Sequence, residues 1–213
     1  MIAICCATRG MIFTEVDIAI DQIKEHFDSK IFRTFNKPIP EAQNFLVEEA
    51  LKTNAEYLLY IEEDVVPTLS QVREMVNRNV DIVFIDYGVN GWSCSAKDKS
   101  GKILWAGIGC TLVKRKVFEK IDAPWFRTDK SLRLNDWKWI DNPSKYGGQD
   151  IWFFRQALEA GFQVEQISGE VKHIGLKNLG KKEVNNGLHE IYEKSRIKNF
   201  QVIERQVDTY VTK

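Results

Sequence analysis

The stretch Tyr57-Leu58-Leu59-Tyr60-Ile61-Glu62-Glu63-Asp64-Val65-Val66-Pro67 decides how the rest of the chain is read. Its first five residues form an unbroken apolar run with aromatic and β-branched members, the pattern of a strand buried on both faces. The run then meets three adjacent carboxylates and breaks at Pro67. Like charges that close repel, so either water at a surface turn or a bound cation must offset the cost. Alternation along an extended chain places Glu62 and Asp64 on one side and Glu63 on the other. Two carboxylates on one rim suit a divalent cation, which prefers hard oxygen ligands. A solvated acidic turn is the equally ordinary outcome of the same residues.

Working outward, strand and helix patterns alternate. "IAICCA" is an apolar strand ending at Thr8-Arg9-Gly10, and "TEVDIAIDQIKEHF" carries Val16, Ile20, Ile23 and Phe27 on one helical stripe, with Thr14 as its expected N-cap. "KIFRTF" is a short strand, and "IPEAQNFLVEEALKTN" is a second amphipathic helix that tolerates Pro40 near its start. The quoted strand, the helix "LSQVREMVNRN" and the strand "DIVFIDYG" complete a β-α-β-α-β-α-β series. That order predicts a mostly parallel, Rossmann-like sheet with helices on both faces. After Gly88 the rhythm loosens: "ILWAGIGCTLVKR" is an apolar stretch with two glycines, "QDIWFFRQALEAG" a helix, "FQVEQI" a strand, and "EVKHIG" carries His173. No repeat or low-complexity linker separates these parts, so a single α/β domain over residues 1–213 is expected.

Bulk composition excludes several classes. At 213 residues the chain has the length of one substantial domain. Lys plus Arg equals Asp plus Glu at 30 each, so no global field draws nucleic acid or an anionic membrane. No apolar run approaches the roughly 20 residues of a transmembrane helix. The start "MIAICCATRG" lacks the basic region of a signal peptide. The four cysteines have no C-x-x-C spacing, and Cys5 and Cys6 point to opposite faces of one strand. Packing thiols and a cytoplasmic location are expected.

In open parallel sheets, ligands bind beyond the carboxyl ends of the strands, where Thr8-Arg9 and Glu62-Glu63-Asp64 both fall. The segments "AEYLLYIEEDVVPT", "EAQNFLVEEAL", "WAGIGCTLVKRKVFEKI", "GGQDIWFFRQALEAGF" and "VKHIG", in that order over roughly residues 1–175, resemble GT-A-fold glycosyltransferases of the nucleotide-sugar-dependent, family-2-like kind. The resemblance implies a D-x-D-like acidic motif at Glu62 to Asp64, a helix start facing the donor, a glycine-containing strand, an acidic helix start and a late histidine. Two departures stand out: Glu62 replaces the family's usual first Asp, and Gln149 stands where a second acid often precedes the Asp.

Several expectations follow from that resemblance. Residues 1–88 form the nucleotide-binding half, 89–175 the acceptor-binding half and 176–213 a closing segment and helix. A divalent metal, Mn²⁺ in preference to Mg²⁺ because imidazole suits the softer ion, is held by Asp64, His173 and Glu62. Thr8, Arg9, Asn44, Glu63, Gly107, Gly109, Lys177 and Lys181 contact the nucleotide-diphosphate sugar. Trp105, Trp137, Trp139 and Gly148 contact the acceptor, a carbohydrate, lipid-linked sugar or protein bearing a hydroxyl. Asp150, whose ordinary reading is a helix cap, is the candidate general base of an inverting hexosyl transfer. A nucleotidyltransferase would need a glycine-rich basic loop after the first strand, which "TRGMIF" is not, and a non-catalytic carbohydrate-binding protein would share the fold without turnover. Oligomeric state is not legible in the sequence.

Overall fold

The computed structural model describes residues 1–89, 92–133, 138–145, 147–169 and 171–174. Six strands make the central sheet: β1 (Ile2–Thr8), β2 (Ser29–Phe35), β3 (Tyr57–Ile61), β4 (Ile82–Phe84), β5 (Cys110–Lys114) and β6 (Val164–Gln166), in the order β6-β4-β5-β3-β1-β2. β2, β1 and β3 are mutually parallel, and β6 is parallel to β4. β5 inserts antiparallel between β3 and β4, pairing Cys110 with Ile61 and Thr111 with Phe84. The alternation of strands and helices in the first half predicts the parallel part correctly. The strand from the second half enters the middle of the sheet rather than adding to an edge.

The insertion follows from burial. The run Tyr57–Ile61 has apolar side chains on both faces, as a central strand does, and its backbone groups pair with β1 on one side and with the apolar Cys110–Lys114 on the other. The glycines of Gly107-Ile108-Gly109 break the apolar stretch, so that Ile103–Ala106 pairs separately with Ser95–Lys97.

Helices cover both faces. α1 (Thr14–His26) and α3 (Leu69–Arg78) pack Val16, Ile20, Ile23, Val72 and Met75 onto Ile2, Ile4, Leu59, Val83 and Leu112. α2 (Ile39–Leu51), α4 (Arg115–Lys120) and α5 (Gln149–Glu159) cover the other face, packing Leu46, Val47, Phe118, Phe153 and Phe154 onto Ala3, Leu58, Tyr60 and Val113. Cys5 and Cys6 fall in the two different cores, as strand alternation requires. All four cysteines are free thiols. Among the described residues no helix is long and apolar enough to cross a membrane.

Two cap assignments differ from expectation. Thr14 is the first helical residue of α1, and Phe13 occupies the cap without a side-chain bond. Gly148 caps α5 at φ +81°, a backbone conformation that favours glycine, so Asp150 lies inside the first turn and is not the cap. α3 shows a full capping box between Thr68 and Gln71.

Phe153 is the centre of the second core. It is fully buried and stacks on Phe118 and Phe126 at centroid distances of 5.2 and 5.1 Å. Phe153→Ala is therefore expected to cost about 3–5 kcal/mol in urea unfolding. A loss of about 0.5 kcal/mol, that of an ordinary surface change, would show that the stack does not hold α5 to the sheet.

Candidate active site

β3 ends at Ile61, and the next residues turn instead of extending, with the Val65 N–H bonded to the Glu62 carbonyl at 3.2 Å. Strict alternation therefore stops at Ile61, yet Glu62 lies in the field of Asp64 and His173, while Glu63 turns away to Arg9. Each of the three carboxylates finds its own partner. Glu63 turns inward to Arg9, accepting the Arg9 backbone N–H at 2.6 Å and the Arg9 Nε–H. Asp64 faces His173, with Oδ2 3.3 Å from Nε2, and the Arg9 guanidinium lies 3.7 Å from the same oxygen. Glu62 accepts a hydrogen bond from Tyr87 Oη at 3.3 Å.

His173 is delivered by a two-residue antiparallel ladder, in which Lys172 pairs with Val66 and His173 with Val65. The Ile174 N–H closes the ladder onto the Asp64 carbonyl at 2.7 Å. A carbonyl can only accept, so Nδ1 donates its proton to the Gly88 carbonyl at 3.0 Å. That bond leaves Nε2 as the nitrogen turned toward Asp64, the arrangement that orients a metal-binding histidine. A bare Nε2 and a carboxylate oxygen 3.3 Å apart repel unless positive charge lies with them. The hydrogen bond to Asp64 accordingly raises the His173 pKa, with burial opposing and the charge of Glu62 adding.

Glycine is required on the floor of the site. A Cβ at Gly109 would lie 2.6 Å from both Glu62 Oε2 and Tyr87 Oη, and one at Gly107 would lie 2.6 Å from Tyr87 Oη. The Gly109 N–H donates to Tyr87 Oη at 3.1 Å, and the Glu62 N–H to the Gly109 carbonyl at 3.0 Å. Gly107 and Gly109 thus shape the site by letting Tyr87 and Glu62 fold over the backbone.

Asp150 completes the cluster from α5. Burial raises its pKa, and hydrogen bonds from the Ile108 N–H and the Gln43 side chain offset part of the rise. Its Oδ1 is buried and has no hydrogen-bond partner among the described residues. Burial is also the largest cause of the raised Glu62 pKa. The charges of Asp150 and Asp64 add to it, while the Tyr87 hydrogen bond and His173 lower it. Two carboxyl groups in each other's field cannot both ionise freely, so the pair holds a proton more tightly than exposed acids do. Cys94 beside them is pushed up to about 12, by burial first and then by Glu62, Asp86 and Asp150, and stays a neutral thiol.

The remaining expected residues are placed as follows. Thr8 is buried and spends its hydroxyl on the Thr34 carbonyl at 3.0 Å. Arg9 is half-exposed and held over the acids. Asn44 closes a double hydrogen bond with the Phe126 backbone, at 2.9 and 3.0 Å, so its amide ties α2 to that loop. Trp105 packs against the core on the α5 side. Trp139 lies 4.8 Å from Trp152, which also carries the Arg127 guanidinium over its ring at 4.9 Å. Gly148 precedes Asp150 at the start of α5. Trp137, Lys177 and Lys181 lie outside the described residues.

Sequence reasoning passed over Tyr87, Gln43 and Trp152. Tyr87 had a signal: it follows β4 as Arg9 follows β1, and the rule about strand carboxyl ends applies equally to both. Gln43 and Trp152 had none, since a polar or aromatic residue on a helix declares its direction only once the helix is docked.

The architecture is of the GT-A type, a mostly parallel six-stranded sheet between helices with its polar site at the strand ends. No protein-family model matches the chain, and no curated protein sequence does. Among solved structures, A197 from STIV superimposes with a TM-score of 0.53 at 17% identity, covering 78% of this chain and 81% of its own. Glucosyl-3-phosphoglycerate synthase from Mycobacterium tuberculosis, in complex with Mn²⁺, uridine diphosphate and phosphoglyceric acid, reaches 0.48 at 13% identity over 87% of this chain and 73% of its own. 4-Diphosphocytidyl-2C-methyl-D-erythritol synthase from Anaerococcus prevotii reaches 0.45 at 10% identity, covering 83% and 94%. At 17% identity the likeness to A197 is one of fold.

The buried acids make a pH prediction. The folded-state pKa of Glu62 is raised, so the unfolded chain ionises first as pH climbs above the ordinary glutamate value, and stability is lost until the folded group ionises too. Glu62→Gln removes that loss. The variant should match the wild type in melting temperature near pH 4.5 and exceed it increasingly toward neutral and alkaline pH. Equal pH dependence in the two proteins would mean that Glu62 is not held in this environment.

Proposed function

We propose that the chain is a metal-dependent glycosyltransferase that moves a sugar, a hexose by expectation, from a nucleotide-diphosphate sugar to an acceptor hydroxyl with inversion. The observation that carries this reading is the convergence, at the strand ends of the sheet, of the Asp64–His173 pair with a separate, buried carboxyl group, that of Asp150.

The residues fit a divalent ion. Asp64 Oδ2 and His173 Nε2 are a mixed oxygen and nitrogen pair in which the second nitrogen is already anchored to a carbonyl. Among the described residues no three His, Cys, Asp or Glu side chains form a complete cage. Asp64 and His173 would therefore hold the ion together with diphosphate oxygens and water, as hard cations commonly are held on nucleotide substrates. Glu62, turned toward Tyr87, takes the part of an outer neighbour. The imidazole favours Mn²⁺ over Mg²⁺. Bound there, the ion supplies Lewis-acid neutralisation of the charge that develops on the departing diphosphate.

The chain's own groups do the rest. Arg9, braced by Glu63, stands at the carboxyl end of β1 where the donor's phosphates are expected. Gly107 and Gly109 allow a close approach of backbone and sugar. The Asp150 carboxylate takes the proton of the attacking hydroxyl as the hydroxyl oxygen bonds to the anomeric carbon and the bond to the diphosphate breaks. Burial suits this role, because a base works best with a pKa near the working pH and Asp150 is raised in that direction. Trp139 and Trp152, tilted against each other at the start of α5, offer an aromatic face to a carbohydrate acceptor.

A panel of nucleotide-diphosphate sugars with Mn²⁺ tests the reading through donor-dependent release of nucleoside diphosphate. No release with any donor or acceptor would remove the enzyme reading. Asp64→Asn and His173→Ala should each weaken Mn²⁺-dependent donor binding at least about tenfold in calorimetry. Unchanged affinity in both would remove the metal assignment. Asp150→Asn should cut transfer by about 10²- to 10⁴-fold while donor affinity stays near wild type. Near-normal transfer in that variant would exclude Asp150 as the base.

A further inference from the structure

Arg9 touches two of the three adjacent acids. Its backbone N–H donates to Glu63 Oε2 at 2.6 Å and its Nε–H to Glu63 Oε1, while Nη2 lies 3.7 Å from Asp64 Oδ2. The side chains of Glu63 and Asp64 are 5% and 17% exposed, whereas that of Arg9 is 54% exposed. The guanidinium is therefore pinned at its Nε by a buried carboxylate and open to solvent beyond it. Asp64 Oδ2 also faces His173 Nε2, at 3.3 Å. One carboxylate oxygen thus meets both a candidate metal ligand and a held cation. A divalent ion bound by Asp64 and His173 has that cation beside it, and like charges in a partly buried site weaken the ion's hold. A diphosphate changes the sign of the interaction. Its oxygens bind the ion, and its remaining charge suits a guanidinium, whose fork of donors matches phosphate.

We propose that Arg9 makes the metal and the diphosphate bind as one unit. Without a diphosphate it is the resident counter-charge of Asp64 and disfavours the bare ion; with one it becomes a partner of the phosphates. The inference rests on the reading of Asp64 and His173 as the metal pair. Glu63 is essential to it, because an arginine free to swing away from an incoming cation would impose no such penalty. Held at both its backbone N–H and its Nε–H, Arg9 keeps its charge in place. The metal and the diphosphate then raise each other's affinity by the same factor.

Removing Arg9 alone strands the buried charge of Glu63. The test therefore uses the double variant Arg9→Met with Glu63→Gln, which removes one charge of each sign and leaves the net charge of the full chain unchanged. Calorimetry titrates Mn²⁺ alone, and Mn²⁺ with a saturating nucleoside diphosphate, the one among ADP, CDP, GDP and UDP that raises the melting temperature most. In the wild type the diphosphate should tighten Mn²⁺ binding at least about tenfold. In the double variant Mn²⁺ alone should bind about three- to tenfold more tightly than in the wild type, and the tightening by diphosphate should shrink to about threefold or less. A structural role for Arg9 predicts weaker binding under both conditions, and a simple phosphate contact predicts an unchanged affinity for the bare ion. Unchanged or weaker binding of Mn²⁺ alone in the folded double variant therefore overturns the proposal. If the double variant does not fold, Arg9→Gln, whose amide still donates to Glu63, carries the same two expectations and the same refutation. Equal Mn²⁺ affinity with and without diphosphate in the wild type also overturns it. If the wild type binds no Mn²⁺ under either condition, the metal pair itself falls and this coupling with it. If the wild type shows the coupling and the variants keep it in full, the metal pair stands and this inference fails.

Discussion

Three adjacent carboxylates at the end of a buried strand cannot share one space. Two unit charges about 4 Å apart repel by about 4 kcal/mol at an effective dielectric of 20. The chain resolves this by turning at Glu62, so that each acid meets a different group from a different part of the sequence. Tyr87 comes from the end of β4, Arg9 from the end of β1 and His173 from the ladder beyond β6. The site is a consequence of that separation: the elements that relieve the repulsion are the ones whose ends it gathers.

The antiparallel strand β5 makes the arrangement possible. Its insertion between β3 and β4 places the Gly107-Ile108-Gly109 backbone beside the acids, where Gly109 touches both Glu62 and Tyr87 and the Ile108 N–H reaches Asp150. A side chain larger than hydrogen at either glycine would push Tyr87 out of contact. Asp150 then sits in a region of low polarity with one oxygen unpaired, which is costly for stability and useful for taking up a proton. The aromatic stack of Phe118, Phe126 and Phe153 beneath α5 supplies apolar burial that offsets such costs.

Much of the fold was legible because its signals are local. The period of apolar residues marks α1, α2 and α5 to within three residues, and the parallel order follows from alternating strands and helices. The candidate acids and His173 were also visible, as polar residues standing where strands end. The cap of α1, the length of the strand after α3 and the role of Asn44 were not. Each depends on where a partner from a distant segment arrives, and Asn44 meets a backbone 82 residues away.

The sequence by itself determined that this is a single α/β chain with acids at the tip of a central strand, a glycine-flanked strand in its second half and a histidine late in the order. Those features are carried by residue type and spacing, which no packing can alter. The tertiary structure alone decided which acid faces which partner: Glu62 to Tyr87, Glu63 to Arg9 and Asp64 to His173. Once a strand gives way to a turn, alternation no longer dictates side-chain direction. Charge separation and burial do, and both are properties of the assembled sheet rather than of any segment of it.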